Sequence, residues 1–353
     1  MSSWDAWGTP AEAVARVPLR FGGGHDRKAL RNLSAGTRMG DSLFVAGDEH
    51  AHVDRLTLGA DGGGCPRSIE LMDLLTLDDP EEEADLEGLA ADDGWLWVVG
   101  SHARTRSKPE KQEGERIDLS ALADLKDTRA RCLLARLPLV RDGEGWSPVA
   151  EDGDRRAGML PQGKHGNALA RALRDDPLLK PFTRVPAKEG GVDVEGIAVC
   201  GDRVALGLRG PIVATHALLL ELTLDAKASG KLKLAGGPIV RLLAMEGLGV
   251  RDLKRCGEDL LILAGPTTGL DGPCALYRWR GWAGDPPRDD RVVRLHRPER
   301  VLELPFGRGV DHPEGLALWP DGRQVLVIYD SPADWRVDAA AGTILADLFD
   351  LPE

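Results

Sequence analysis

An all-β fold is predicted by three observations. A short phrase recurs along the chain: a polar residue, a small one, a branched apolar one, then a turn and a dense apolar strand. The copies are far apart, as in chains built from repeated sheets that cannot bury their faces alone. The strand that follows each copy is short and apolar, with polar and glycine residues at the turn before it.

The clearest copies place Glu87-Gly88-Leu89-Ala90 before WLWVVG (95–100), Glu195-Gly196-Ile197-Ala198 before RVALGLRG (203–210), and Glu314-Gly315-Leu316-Ala317 before QVLVIYD (324–330). Weaker copies place Ser34-Ala35-Gly36 before SLFVAGD (42–48) and Arg251-Asp252-Leu253 before DLLILAG (259–265). The polar positions 34, 87, 195, 251 and 314 are separated by 53, 108, 56 and 63 residues. Those intervals suit four-stranded blades with loops, so the expected architecture is a β-propeller. Five blades is the expectation and six the alternative, because the long interval is twice the length of a blade. Its content argues for one blade with insertions, since 103–130 and 151–192 are charged, Pro-containing or helix-like.

In order, AVARVPLRF (13–21) is a strand expected to close the ring by joining the last blade. A glycine run and the basic patch 25–31 follow. The first blade continues through HVDRLTL and SIELMDLL, and the acidic run 78–85 leads into Glu87. In the second blade the basic loop 103–130, with a short helix near its end, leaves the second strand and is therefore expected over the channel mouth. CLLARLPL (132–139) resumes the sheet. In the second insertion, Leu169, Leu173 and Leu178 recur at helical spacing. The third blade adds ALLLELTL and IVRLLAM, the fourth ALYRWRG and RVVRLH, and the fifth TILADLF.

At 353 residues the chain suits a single propeller domain, 1–353, because propellers grow by adding blades. No apolar run spans a bilayer, and the N-terminus lacks the apolar centre of a secretory signal. An odd cysteine count, five, favours reduced thiols, and Cys200 and Cys256 fall in equivalent turns of different blades. The expected location is the cytoplasm. A formal charge of −12 excludes nucleic acid and anionic membrane as expected partners.

In a propeller the polar residue of each phrase faces the channel mouth. Three glutamates there repel one another: at roughly 6 Å and an effective dielectric of about 20, each pair costs about 3 kcal/mol. Protonation, a paired cation or a metal must offset this. Arg251 supplies one positive charge, and a divalent ion bound by oxygen ligands would neutralise the rest. A hub satisfied by Arg251 and water is the other reading, and a ring open to organic cations or substrate a third. The surrounding loops supply Asp48, His50, His52, His102, Arg104, Arg209, Asp311, His312 and Asp330. That mixture suits acid–base chemistry or anion binding, and equally a network joining blades. No GxSxG, HExxH or phosphate-loop signature is present.

The phrases DLEGLAADDGWLWVVGSHA, VEGIAVCGDRVALGLRGP, LGVRDLKRCGEDLLILAGPT and HPEGLALWPDGRQVLVIYDSP resemble a bacterial family, domain of unknown function 3616 (DUF3616), over nearly the whole chain. That family carries no known activity. The ring phrases are also distantly similar to the calcium-activated nucleotidases, or apyrases, which are five-bladed propellers with serines and glutamates around a central calcium. Their order Ser, Glu, Glu, Ser, Glu matches Ser34, Glu87, Glu195 and Glu314, with Arg251 as the departure. The resemblance implies that Ser34, Glu87, Glu195 and Glu314 hold Ca2+; the guanidinium at 251 would either accompany that ion or replace it.

Two functions follow as expectations. One is a metal-assisted hydrolase of a small phosphorylated or otherwise anionic substrate, with Arg104 and Arg209 clamping the anion, Arg251 and Asp330 beside it, and Asp48, His50 or His102 handling protons. The other is a non-catalytic propeller that binds a ligand or a protein partner, and fold alone does not choose.

Overall fold

A computed structural model describes residues 7–22, 28–47, 51–59, 61–78, 82–106, 117–126, 129–143, 145–227, 229–286 and 292–352. The fold is all-β and propeller-like. Antiparallel units begin at the strands Leu33–Met39, Leu86–Asp92, Asp193–Cys200, Gly249–Cys256 and His312–Leu318. Each of these inner strands packs against the next, and His312–Leu318 packs back on Leu33–Met39.

Each inner strand turns tightly into a second strand: Ser42–Gly47, Trp95–Gly100, Arg203–Gly210, Asp259–Gly265 and Gln324–Asp330. These second strands are buried almost end to end because neighbouring sheets cover both faces, which explains their unbroken apolar runs. The third strands are His52–Gly59, Leu134–Asp142, Ala217–Ala226, Cys274–Trp279 and Thr343–Asp350.

Ala15–Arg20 pairs antiparallel with Thr343–Asp350, so the N-terminal strand completes the last unit. A parallel bridge from Leu19 to Gly63 then links it to the first. This covers an edge that would otherwise template another chain.

The core is divided among the junctions. Phe44, Val53 and Leu71 meet Leu89, Leu96 and Leu137 between the first and second units. Ile262, Leu260 and Tyr277 meet Leu219 and Val250 between the third and fourth. Leu19, Leu43 and Leu56 meet Leu326 and Ile344 where the last unit adjoins the first. The helix Ala168–Asp175, capped by Asn167, inserts Leu169 and Leu173 into the junction between the second and third units.

One strand differs from the sequence expectation. The fourth strand of the fourth unit is Glu299–Leu304, paired with Cys274–Trp279. Of the described residues of the stretch RVVRLH, 292–296, only Leu295–His296 is strand, and it adds in parallel to Ile239–Leu243 of the preceding unit. Alternation marks both stretches equally; the partner is set by where the intervening chain crosses.

Among the described residues no helix is long and apolar enough to cross a membrane, and all five cysteines are free.

Candidate functional site

The repeated phrase marks a β-bulge in every inner strand. Pairing jumps from Leu33 to Ala35, from Leu86 to Gly88, from Val194 to Ile197, from Val250 to Asp252 and from Pro313 to Gly315. The residue left out of the ladder is Ser34, Glu87, Glu195 (with Gly196), Arg251 or Glu314 in turn. A bulge re-aims the side chain it releases, and here it does so at one level of every inner strand. The glycine of the phrase permits this close approach. Gly196 has φ +93°, and a Cβ there would lie 2.7 Å from the Asp252 backbone on the neighbouring inner strand.

Arg251 and Arg209 dominate the resulting cluster. Arg251 Nε lies 3.1 Å from Glu195 Oε2 in an ion pair, and its terminal nitrogen pairs with Glu314. Arg209, itself skipped where Asp193 pairs with Gly210 and Val194 with Leu208, forms ion pairs with Glu195 Oε1 at 2.9 Å and with Asp193. Glu195 is thus held between two guanidiniums. Desolvation raises its pKa, while Arg209 and Arg251 oppose that shift. Desolvation works against the charge of Arg209, but Asp193, Glu195, Glu87 and Asp85 outweigh it and raise its pKa. Asp85 is also bound by Arg131 at 2.5 Å. Ser34 Oγ donates to the Leu86 carbonyl at 2.7 Å, which ties the first inner strand to the second.

This donor set does not fit a calcium centre. A guanidinium occupies the bridging position between Glu195 and Glu314, Ser34 donates its proton to a carbonyl, and among the described residues no three His, Cys, Asp or Glu side chains converge as metal ligands.

Beside Arg251 lies a cavity of about 210 Å³ with Arg209, Glu314, His312, Asp271 and Lys188 in its wall. Leu270 and Phe306 form an exposed apolar lip. His312 Nε2 is 3.0 Å from Asp271 Oδ1, and Nδ1 is 3.8 Å from Asp330 Oδ2. Asp330, farther away but less exposed than Asp271, contributes most to raising the His312 pKa; Asp271 adds to it.

The other expected site residues are distributed differently. Asp48 and His50 lie outside the described residues. His102 is held by its neighbours: Nδ1 lies 2.9 Å from the Gly100 carbonyl and Nε2 lies 3.1 Å from the Asn167 amide nitrogen. A neutral ring donating from Nδ1 and accepting at Nε2 satisfies both contacts, and desolvation pushes its pKa down to about 4. Arg104 and Arg209, expected to clamp one anion, line different cavities. Of the basic loop, Arg106 binds Glu189 through Nε at 2.6 Å and a terminal nitrogen at 2.7 Å, beside Lys188 of the mouth cavity. Sequence reasoning missed Asp271, Lys188 and Asp193. The signal available for Asp193 was its place two residues before Glu195, on the same side of an extended strand.

Fold and site together define an all-β, propeller-like protein with a charged ring at the level of its inner-strand bulges. The chain belongs to the family described as "Protein of unknown function (DUF3616)", whose model matches residues 32–347. Among solved structures it is similar to Myxococcus xanthus glutaminyl cyclase, at 10% identity over 97% of each chain and a TM-score of 0.44. It is also similar to streptogramin B lyase, at 10% identity over 97% of this chain and 100% of that one, TM-score 0.35. The WD40 repeats of RRP9 match at 7% identity over 90% and 79%, TM-score 0.35. No curated protein matches the sequence.

Proposed function

We propose that this chain is a cytoplasmic, single-domain five-bladed propeller that binds a small anionic molecule with an organic body at its channel mouth, and that Arg251 stands where related rings hold a metal. The observation that carries this reading is the mouth cavity: Lys188, Arg209 and Arg251 lie in its wall while Leu270 and Phe306 stand exposed at its lip. Leu270 is 76% exposed, a cost in water that an apolar ligand surface would offset. Three carboxylates, Asp271, Glu314 and Asp330, share the wall, so the acidic head of the ligand is met at Lys188 and its hydrogen-bond donors at the carboxylates.

The test is a calorimetric and thermal-shift panel of small carboxylates, phosphates and amino acids against the wild type, Lys188→Ala and Phe306→Ala. Saturable binding of an acid-bearing compound, weakened in both variants, is expected. At a concentration of roughly 100 times Kd it would add about 2.7 kcal/mol of stability. Binding that ignores both substitutions would refute the site.

A hydrolytic reading is favoured by His312, whose contacts with two carboxylates on the wall suit a general acid or base. Turnover abolished by His312→Ala with binding retained would select it.

A further inference from the structure

The insertion in the second unit builds another cavity, of about 150 Å³, bounded by the loop after Trp95–Gly100, the helix Ala168–Asp175 and the segment 183–192. Its polar wall is Arg104, Arg129, Arg174 and His165, its apolar floor includes Leu173 and Val192, and among the described residues no carboxylate lines it. This contrasts with the chain's formal charge of −12. Arg104 and Arg174 are each partly buried, and among the described residues their side chains hydrogen-bond no protein group.

We infer that this cavity is a second ligand site, separate from the channel mouth, that takes the phosphate group of a small molecule. Guanidiniums facing one space without a carboxylate repel one another, and a dianion is the group that several of them hold best through paired N–H donors. The wall is set in advance. Asn167 caps the helix at the Ala170 amide and donates to the Cys132 carbonyl at 2.9 Å and to His102 Nε2 at 3.1 Å. The neutral His102 therefore shapes the site without taking a charge. The apolar floor accommodates the organic part of the ligand.

The experiment titrates inorganic phosphate, glycerol 3-phosphate and acetate into the full chain by calorimetry, using wild type, Arg104→Gln, Arg174→Gln, Arg104→Lys and Arg171→Gln. Arg171, exposed on the same helix and outside the cavity, controls for net charge. We expect Arg104→Gln and Arg174→Gln each to weaken phosphate binding about tenfold or more, Arg104→Lys to fall between, and Arg171→Gln to leave it unchanged. Without ligand, Arg174→Gln should melt no lower than wild type, because it relieves repulsion. No phosphate binding by the wild type, an equal loss in Arg171→Gln, or acetate held as tightly as phosphate overturns the proposal. So does a ligand-free Arg174→Gln that melts lower, since the arginine would then be structural.

Discussion

Arg251 Nε forms an ion pair with Glu195 Oε2 at 3.1 Å across two adjoining inner strands, while the other arm of the same guanidinium pairs with Glu314 of the strand beyond. One cation therefore joins the third, fourth and fifth units at the level of their bulges. Chelators should leave the melting temperature unchanged, and Arg251→Ser should destabilise the fold by about 3–5 kcal/mol, because it strands buried carboxylates. A melting temperature that drops with chelator and recovers on adding calcium would contradict the metal-free ring.

His312 should titrate above its ordinary 6.5, and Asp330→Asn should bring it down. The sign for stability follows from linkage. With its folded pKa raised, the protonated imidazole contributes stability that is complete below 6.5 and lost as pH rises through the folded value. Wild type should therefore exceed His312→Gln by more at about pH 5.5 than at about pH 8.5 in urea denaturation. Proton NMR of the ring checks the pKa, and a gap that is flat across this range would refute the coupling.

How much of this was legible depends on the kind of information. Glu87, Glu195, Arg251 and Glu314 were readable because a bulge in each inner strand leaves a repeated local phrase, and Arg251 stood out as the departure from it. The pairing of Arg209 with Asp193 and Glu195 was not, because periodicity records which face a residue takes but not the bulge that turns Arg209 inward. Asp271 was hidden for a different reason: it sits in an irregular loop, and only the closeness of two units brings it to His312. The His102–Asn167 contact was hidden as well, because Asn167 comes from an insertion far along the chain.

The phrase itself can be tested at its glycine. Gly196→Ala must hold φ +93° and push against the Asp252 backbone at 2.7 Å, with no flexible side chain to yield. A loss of at least about 2 kcal/mol is expected. Gly64→Ala, where nothing lies within 4 Å, should stay within about 0.5 kcal/mol of wild type. Equal effects in denaturant melts would mean that ring closure does not depend on the glycine.

A second charged lock lies deeper along the fourth inner strand. Lys254 Nζ donates to both Asp252 oxygens, at 2.6 and 2.7 Å, and reaches the Leu89 carbonyl at 3.1 Å on another inner strand. Asp252 also accepts the Leu253 and Leu316 amides, each at 2.7 Å, so this pair ties three units together. Burial pushes Asp252 up to about 6 despite the ammonium, and pushes Lys254 down. Lys254→Met leaves the carboxylate buried without its counter-ion and should cost about 3–5 kcal/mol at neutral pH. Because the folded pKa of Asp252 already exceeds the ordinary 3.8, the folded state binds more protons between those values. Its stability contribution therefore falls as pH rises, more steeply once the ammonium is gone. The deficit of Lys254→Met should accordingly shrink at about pH 5 relative to about pH 8. Adding Asp252→Asn should restore part of it, since the neutral amide removes the stranded charge while its one oxygen still accepts either the Leu253 or the Leu316 N–H. A deficit independent of pH, or unrelieved in the double variant, would show that packing of the lysine stem, not its charge, holds the strands together.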